Sequence, residues 1–385
     1  MRVGIFGGGQ LATMLAEAIL RLGATPRVYD PDVDAPARAR VADFVAAPFD
    51  DAAALHDFTA GCDVLTYERE DLPVGALRDA AGDKPWVPDL GILEVAQDRA
   101  LEKAFLARYG LGPVRHVVVP PDGRLDEAAA AFGLPAIAKT TRGGYDGKGQ
   151  FFIARGADAA AAQAAIPTAT WVLEEPIDIV AEASCIVARA GTDEVTFPVV
   201  ENLHRDHILD RSVVPCRLAT DVVADIRDRA LTAARALDAR GLLAVEFFVA
   251  GGGSAEPARV LINELAPRPH NSGHLLSRAC TFGQFDALAR ILTGAPIGVP
   301  RELPGAFCMG NLLGDVWISQ RREGPLDLTA WRGFPDVVDV HLYGKRQAAL
   351  RRKMGHFVVQ STSADDALAR ADAFRTALAR TSRPS

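Results

Sequence analysis

A lysine closing an apolar strand packs poorly and binds phosphate well. Lys139 ends the run LPAIAKT, and the stretch KTTRGGYDGKGQ that starts with it holds four glycines. Glycines leave backbone N–H groups free to wrap phosphate oxygens. Lys148 adds a second ammonium, and Tyr145 and Asp146 stand where a closing lid carries ligand contacts and excludes water. An ordinary solvent hairpin is the competing reading, and it needs fewer glycines. Only six of the 42 basic residues are lysine: Lys84, Lys103, Lys139, Lys148, Lys345 and Lys353. A chain that otherwise uses arginine keeps lysine where a compact ammonium serves better than a planar fork, or by chance.

Glu246 in GLLAVEFFVA and Glu264 in LINELAPRP each interrupt an apolar strand. An antiparallel hairpin centred near residue 255 sets them opposite each other, with Cβ atoms about 5 Å apart and like charges in conflict. A divalent cation removes the conflict, and carboxylate, phosphate and water oxygens suit Mg²⁺. A salt bridge to arginine is the alternative. Asn263 falls on the other face unless the strand ends there. The loop APRPHNSGH then crowds Arg268, His270, Asn271, Ser272 and His274 together, a donor density suited to an anion or to loop capping. Pro267, Pro269 and Gly273 oppose the helix a zinc pair would need, and neither this run nor His204 with His207 carries H-E-x-x-H.

The N-terminal GIFGGGQLA reads as G-x-G-x-x-A, close to a dinucleotide fingerprint, with Asp30 placed to reach a ribose hydroxyl. The same loop serves any phosphate at a helix N-terminus, with Gln10 at the helix start, or serves only a tight turn. In TYERED the two-residue period puts Glu68 and Glu70 on one face at a strand end, unless they form a solvated turn.

The elements that position these groups follow from periodicity. VGIF, PRVYD and DVLTYE read as strands and QLATMLAEAILRL as an amphipathic helix, a βαβ pattern with a parallel sheet. A helix starts at DRALEKAFLARYG. LPAIAKT and GQFFIA form a hairpin, and WVLEEPI, AEASCIVARA, EVTFPVVEN, GLLAVEFFVA and ARVLINELA are further strands around the helix DVVADIRDRALTAARALDA. DVVDVHLYG, HFVVQ and a last helix, DDALARADAFRTALA, close the chain.

Length allows two or three domains in 385 residues. A net charge of -7 argues against general nucleic-acid binding, and no apolar run spans a membrane. The early glycines argue against a signal peptide. Five scattered cysteines, an odd number without C-x-x-C, predict a reduced cytoplasmic protein.

Together GGGQLA, TYERE, QDRALEK, GGYDGKGQ, ENLHRDHIL, NELAPRPHNSGH and YGK…RRKMGH resemble the ATP-grasp superfamily. Within it the chain resembles the 5-(carboxyamino)imidazole ribonucleotide synthases of purine biosynthesis over nearly its whole length. The resemblance implies a mixed α/β and α+β fold. A doubly wound parallel-sheet domain occupies about 1–95, an ATP-grasp domain 96–300 with a small lid subdomain at about 115–175, and a β-rich C-terminal domain 301–385. It implies ATP-dependent carboxylation of 5-aminoimidazole ribonucleotide by bicarbonate through carboxyphosphate, with Mg²⁺, in a cytoplasmic homodimer. Another ATP-grasp carboxylate–amine ligase is the nearest alternative. An NAD dehydrogenase rests on the glycine loop and Asp30 alone, and a catalytically silent regulator predicts a broken site.

By resemblance the ATP site comprises Arg99, Lys139, Gly144, Tyr145, Asp146, Gly147, Lys148, Gly149, Gln150, Glu174, Glu175, Pro176, Ile177, Glu182, His204, Asn263 and Glu264. Glu246 and Glu264 are the implied Mg²⁺ ligands. Gln10, Glu68, Tyr145, Asp146, Lys345 and Arg352 are implied contacts to the ribonucleotide. Arg268, His270, Asn271 and Lys353 are the implied catalytic group around bicarbonate and carboxyphosphate. The chain departs from the family in Ala12 and Thr13, where glycine and arginine are usual, in Asp71, where asparagine is usual, and in a longer loop between the paired acids.

Overall fold

The computed structural model describes residues 1–144, 149–251, 258–320 and 324–380, which hold three sheets. The first is parallel. It contains β1 (Arg2–Phe6), β2 (Thr25–Tyr29), β3 (Asp43–Val45) and β4 (Val64–Tyr67) in the order β3-β2-β1-β4. Helix α1 (Gln10–Arg21) makes the first crossover and buries Leu11, Leu15 and Ile19 at helical spacing. Each such side chain taken from water contributes about 1.5–3 kcal/mol. Helices α2 (Ala52–Ala60), α3 (Val74–Ala81) and α4 (Leu90–Ala96) complete this layer.

Helix α5 (Arg99–Arg108) leads into the second unit. Its N-cap Asp98 accepts hydrogen bonds from the Ala100 and Leu101 amides, so the aspartate fixes where the helix begins. An antiparallel sheet follows, ordered β5-β8-β6-β7, from β5 (His116–Val119), β6 (Ala136–Thr140), β7 (Gln150–Ile153) and β8 (Trp171–Glu174). Helices α6 (Leu125–Phe132) and α7 (Gly156–Ala165) cover it. Lys139 pairs with Gln150, so the glycine-rich stretch joins two hydrogen-bonded strands as expected.

The third sheet runs β14-β13-β9-β11-β12-β15-β17-β16, with β10 beside β9. Its strands are β9 (Ile179–Ala190), β10 (Asp193–Thr196), β11 (Val200–Arg205), β12 (Ile208–Val214), β13 (Gly241–Ala250), β14 (Arg259–Ala266), β15 (Ala306–Leu313), β16 (Val337–Leu342) and β17 (Lys353–Ser361). EVTFPVVEN is therefore two strands and not one; Pro198 lacks an amide hydrogen and lies at the break. The two faces separate by residue parity. Cys185, Val187, Leu243 and Val245 meet α8 (Thr220–Ala236) through Ile226, Ala230 and Ala233. Ile186, Ala188, Leu242 and Ala244 share the other core with α1, α9 (Leu276–Ala279) and α10 (Gln284–Thr293). Strands buried on both faces leave no solvent-driven reason for a polar residue, so each one on the second face is informative.

The C-terminal strands do not form a separate sheet. β15 pairs with β12, Val214 opposite Phe307, and carries the sheet into β17 and β16. Helices α11 (Gly314–Ser319) and α12 (Ala364–Arg380) close this end. Phe357 and Phe374 are fully buried and meet edge to face at 4.9 Å. A Cβ on Gly310 would lie 2.3 Å from the Phe357 ring, so glycine is required there. Phe357→Ala is expected to cost about 3–5 kcal/mol, read as a lower urea midpoint; an unchanged midpoint would contradict this packing.

Candidate active site

A cleft of about 840 Å³ opens where the three sheets meet, between Gln10 and Glu68 on one side and Arg99, Glu264 and His270 on the other. The Lys139 ammonium lies 2.6 Å from Glu174 Oε2, and Lys103 lies 3.3 Å from Oε1 of the same carboxylate. Lys103 also donates to the Asn263 carbonyl at 3.2 Å. Burial alone would raise Glu174, but Lys103 and Lys139 hold it down at about 2. Burial, with Lys103 and Arg99 nearby, lowers the Lys139 ammonium despite Glu174. Two ammoniums thus share one buried carboxylate, with the Arg99 guanidinium acting on Lys139, an excess of positive charge that attracts an anion.

Glu246 and Glu264 stand directly opposite in the β13–β14 ladder, as the hairpin argument requires. A bulge follows this pair, and Asn263 is the extra residue. Among the described residues neither acid has a close arginine partner: Arg99 is 4.0 Å from Glu264, and Glu246 instead meets His270 Nε2 at 2.7 Å. Burial would raise Glu246, yet His270, His204 and Lys353 hold it at about 2. No cluster of three or more metal-ligating side chains exists among the described residues. Two carboxylates with open oxygens, completed by ligand phosphates, are a hard-oxygen donor set that fits Mg²⁺.

The loop after β14 brings in the remaining groups. Arg268 Nε lies 2.9 Å from Glu70 Oε1, and burial raises the Glu70 carboxyl against the pull of that guanidinium. Asn271 is buried on the cleft wall, and both its amide atoms lack a hydrogen-bond partner among the described residues. Such a group has a reason only if a ligand satisfies it. Gln284 from α10 grips the His270 backbone at both ends, accepting from its N–H at 2.8 Å and donating to its carbonyl at 2.7 Å. Lys353 opens β17 and lines the same wall.

The N-terminal glycine loop is not an open phosphate nest. The Gly7 amide donates to the Tyr29 carbonyl, Gly8 to Asp30 Oδ2 at 2.7 Å and Gly9 to Glu68 Oε1 at 2.9 Å. Asp30 is buried and its other oxygen accepts from Asp32, so it is not held for a ribose hydroxyl. The glycines are needed because these carboxylates approach so closely; a Cβ at Gly9 would lie 2.8 Å from Glu68 Oε1. The anion-attracting feature left facing the cleft is the first turn of α1, beginning at Gln10, whose cap residue bonds no amide through a side chain. Thr13 bonds back to the Gly9 carbonyl and Ala12 is buried, so neither supplies the charge of the usual arginine.

Gly144 accepts from Arg99 at 3.3 Å. Gly149 has φ +70° and bonds Thr140 across the hairpin, while Gln150 is exposed. Glu175, Pro176 and Ile177 follow β8; Glu175 bonds the Arg115 carbonyl through its amide, and Ile177 packs on Val114. His204 Nδ1 lies 3.0 Å from Glu182; burial opposes its charge, but the carboxylate raises it above the usual imidazole range. Lys345 donates to the Lys353 carbonyl, and burial beside Arg352 and Lys353 lowers it to about 8. Arg352 is exposed, bonds the Gln347 carbonyl and does not line the cleft. Tyr145, Asp146, Gly147 and Lys148 lie outside the described residues.

Lys103 and Gln284 have no role in the sequence reading. For Lys103 a signal existed: it is one of six lysines and stands four residues after Arg99, on the same helix face.

Comparison with known proteins agrees with this geometry. Residues 1–97 match the ribonucleotide synthetase preATP-grasp domain, 104–285 the ATP-grasp domain, and 308–370 the phosphoribosylaminoimidazole carboxylase C-terminal domain. The N5-carboxyaminoimidazole ribonucleotide synthase of Bacillus subtilis is 36% identical over 368 residues, covering 94% of this chain and 92% of the relative. The chain belongs to the N5-carboxyaminoimidazole ribonucleotide synthase family. It is an ATP-grasp ligase. The Staphylococcus aureus synthetase complexed with ADP superposes with a TM-score of 0.87 at 32% identity, covering 97% of this chain and 96% of that one. The Aspergillus clavatus synthase in complex with ADP and 5-aminoimidazole ribonucleotide gives 0.85 at 25% identity, covering 98% of each. The dehydrogenase reading of the glycine loop is thereby set aside. No helix among the described residues is long and apolar enough to cross a membrane.

Glu174 carries a pH prediction. A carboxyl held low in the fold contributes stability that is complete above its unfolded value of 4.5 and is lost as pH falls toward about 2. Glu174→Gln removes that dependence and leaves two buried ammoniums uncompensated, an expected cost of about 3–5 kcal/mol at neutral pH. Urea midpoints measured from pH 7 downward check this; a wild-type midpoint at neutral pH would contradict it.

Proposed function

We propose that the cleft performs its family's reaction with a defined division of labour. The reaction is the ATP-dependent carboxylation of 5-aminoimidazole ribonucleotide by bicarbonate, giving N5-carboxyaminoimidazole ribonucleotide, ADP and phosphate in purine synthesis. The observation that carries the assignment is the ladder register that sets Glu246 opposite Glu264, with Lys103 bonded to the adjoining Asn263 carbonyl.

Phosphoryl transfer asks for alignment and charge neutralisation more than for covalent help. In this reading Lys139, Lys103 and Arg99 hold the ATP phosphates, and the segment Glu174 to Ile177 with Glu182 and His204 holds the nucleoside. Glu246 and Glu264 would hold Mg²⁺, which would supply neutralisation of phosphate charge. A bicarbonate oxygen attacks the γ-phosphorus and ADP leaves, giving carboxyphosphate. Arg268, Asn271, His270 and Lys353 hold that group by charge and hydrogen bonds. The exocyclic amine of the ribonucleotide then attacks the carboxyl carbon, the carbon–oxygen bond to phosphate breaks, and the amine proton leaves. The ribonucleotide phosphate faces the first turn of α1 and Lys345, with Gln10 and Glu68 along its length. Exclusion of water matters because carboxyphosphate hydrolyses readily. A homodimer in the cytoplasm belongs to the same reading.

ADP release from Mg-ATP and labelled bicarbonate should depend on added ribonucleotide, with label recovered in an acid-labile carbamate. Chelation should stop turnover and Mg²⁺ should restore it. Glu264→Gln should slow turnover about a hundredfold or more. Turnover indifferent to the ribonucleotide, from folded protein that binds ATP, would overturn the assignment.

A further inference from the structure

The second face of the central sheet carries a polar stripe that the reaction as described does not use. Ser184 on β9 stands opposite Glu246. Asn202 on β11 stands opposite Ser212 on β12. All three are buried, as is Ser272 in the loop after β14. Their side chains form one continuous chain. Ser212 Oγ donates to Asn202 Oδ1 at 2.9 Å, and Asn202 Nδ2 donates to Ser184 Oγ at 3.0 Å. Ser184 Oγ meets Ser272 Oγ at 2.7 Å, and Ser272 Oγ meets His270 Nδ1 at 2.8 Å.

The direction of this chain follows from its members. An amide nitrogen only donates, so Ser184 accepts from Asn202, and its own buried hydrogen is satisfied by pointing at Ser272 Oγ. Ser272 in turn directs its hydrogen at His270 Nδ1. A second donor agrees, because the Ser272 backbone N–H points at the same nitrogen from 3.4 Å. A ring nitrogen facing two donors carries a lone pair, which leaves the hydrogen on Nε2, 2.7 Å from Glu246 Oε1.

We propose that Ser184, Asn202 and Ser212, acting through Ser272, are positioning residues that hold His270 as an Nε2–H donor aimed into the cleft. A hydroxyl chain takes buried positions on a face whose neighbouring positions Ile186, Ala188, Leu242 and Ala244 pack an apolar core. What it achieves is a single tautomer in a ring whose backbone Gln284 already grips. When a cation takes Glu246, the Nε2–H is left pointing at the oxygens of bicarbonate or carboxyphosphate, a donor that neither abstracts a proton from the ligand nor flips. The inference rests on the proposed place of His270 beside that group.

Nitrogen-15 histidine in the full chain tests it, with His270 assigned by the resonance missing from His270→Gln and the pH held where imidazole is neutral. The expected spectrum shows His270 protonated on Nε2 alone. Ser272→Ala and Ser184→Ala should mix the tautomers and lower kcat about tenfold, with KM for ATP within about twofold. A wild-type ring protonated on Nδ1, or variants that keep the wild-type spectrum, would overturn the proposal. The wild-type spectrum needs no variant to fold. It also needs no turnover, so failure of the assigned reaction registers separately, in the ADP assay.

Discussion

Two carboxylates held face to face across a β-ladder are the constraint around which this molecule is arranged. Glu246 and Glu264 occupy directly opposed positions on β13 and β14. The ladder cannot slip to relieve them. A shift of one residue would turn Leu242, Ala244 and Ala266 out of one core and Leu243, Val245 and Leu265 out of the other. Hydrophobic burial therefore pins a repulsive pair in place, and other groups must answer its charge. Arg99, His270, His204 and Lys353 do so only in part. The remainder is what a divalent cation and its phosphate ligand would complete.

Charge is also unbalanced around Glu174. There the imbalance is reversed: Lys103 and Lys139 share one glutamate, and Arg99 adds its charge to that of Lys139. A ligand with cation-seeking oxygens at one end and a need for ammonium groups at the other would satisfy both. ATP carrying a divalent cation would be such a ligand. Asn271 adds a neutral deficit, an amide buried with nothing to bond. The cleft gathers electrostatic and hydrogen-bonding groups on elements whose cores are closed.

Much of this is legible in the sequence, and the reason differs by residue. Lys139, Glu246 and Glu264 stand out because a charge in an otherwise apolar strand has no packing explanation. The hairpin register follows from counting residues to the loop centre. Lys103 is less visible, since lysine is ordinary in a helix and only tertiary contact with Glu174 and Asn263 buries it. Ser184, Asn202 and Ser212 are unremarkable in type, and only the sheet order that joins β9, β11 and β12 aligns them. The glycine loop shows the opposite failure. Its spacing is that of a phosphate cradle, yet Asp30 and Glu68 fill the amides. Spacing alone does not distinguish glycines that admit a ligand from glycines that admit the protein's own carboxylates. Continuity of the C-terminal strands with the central sheet is likewise a long-range pairing with no local signature.

The account turns on bicarbonate being the acceptor of the phosphoryl group within this cleft. Bicarbonate labelled with oxygen-18, supplied with ATP, Mg²⁺ and 5-aminoimidazole ribonucleotide, tests that directly in the mass of the phosphate released. If carboxyphosphate forms and the amine attacks its carbon, each phosphate retains a single oxygen from bicarbonate. Phosphate carrying no label, formed at the rate at which the ribonucleotide is carboxylated, would contradict it.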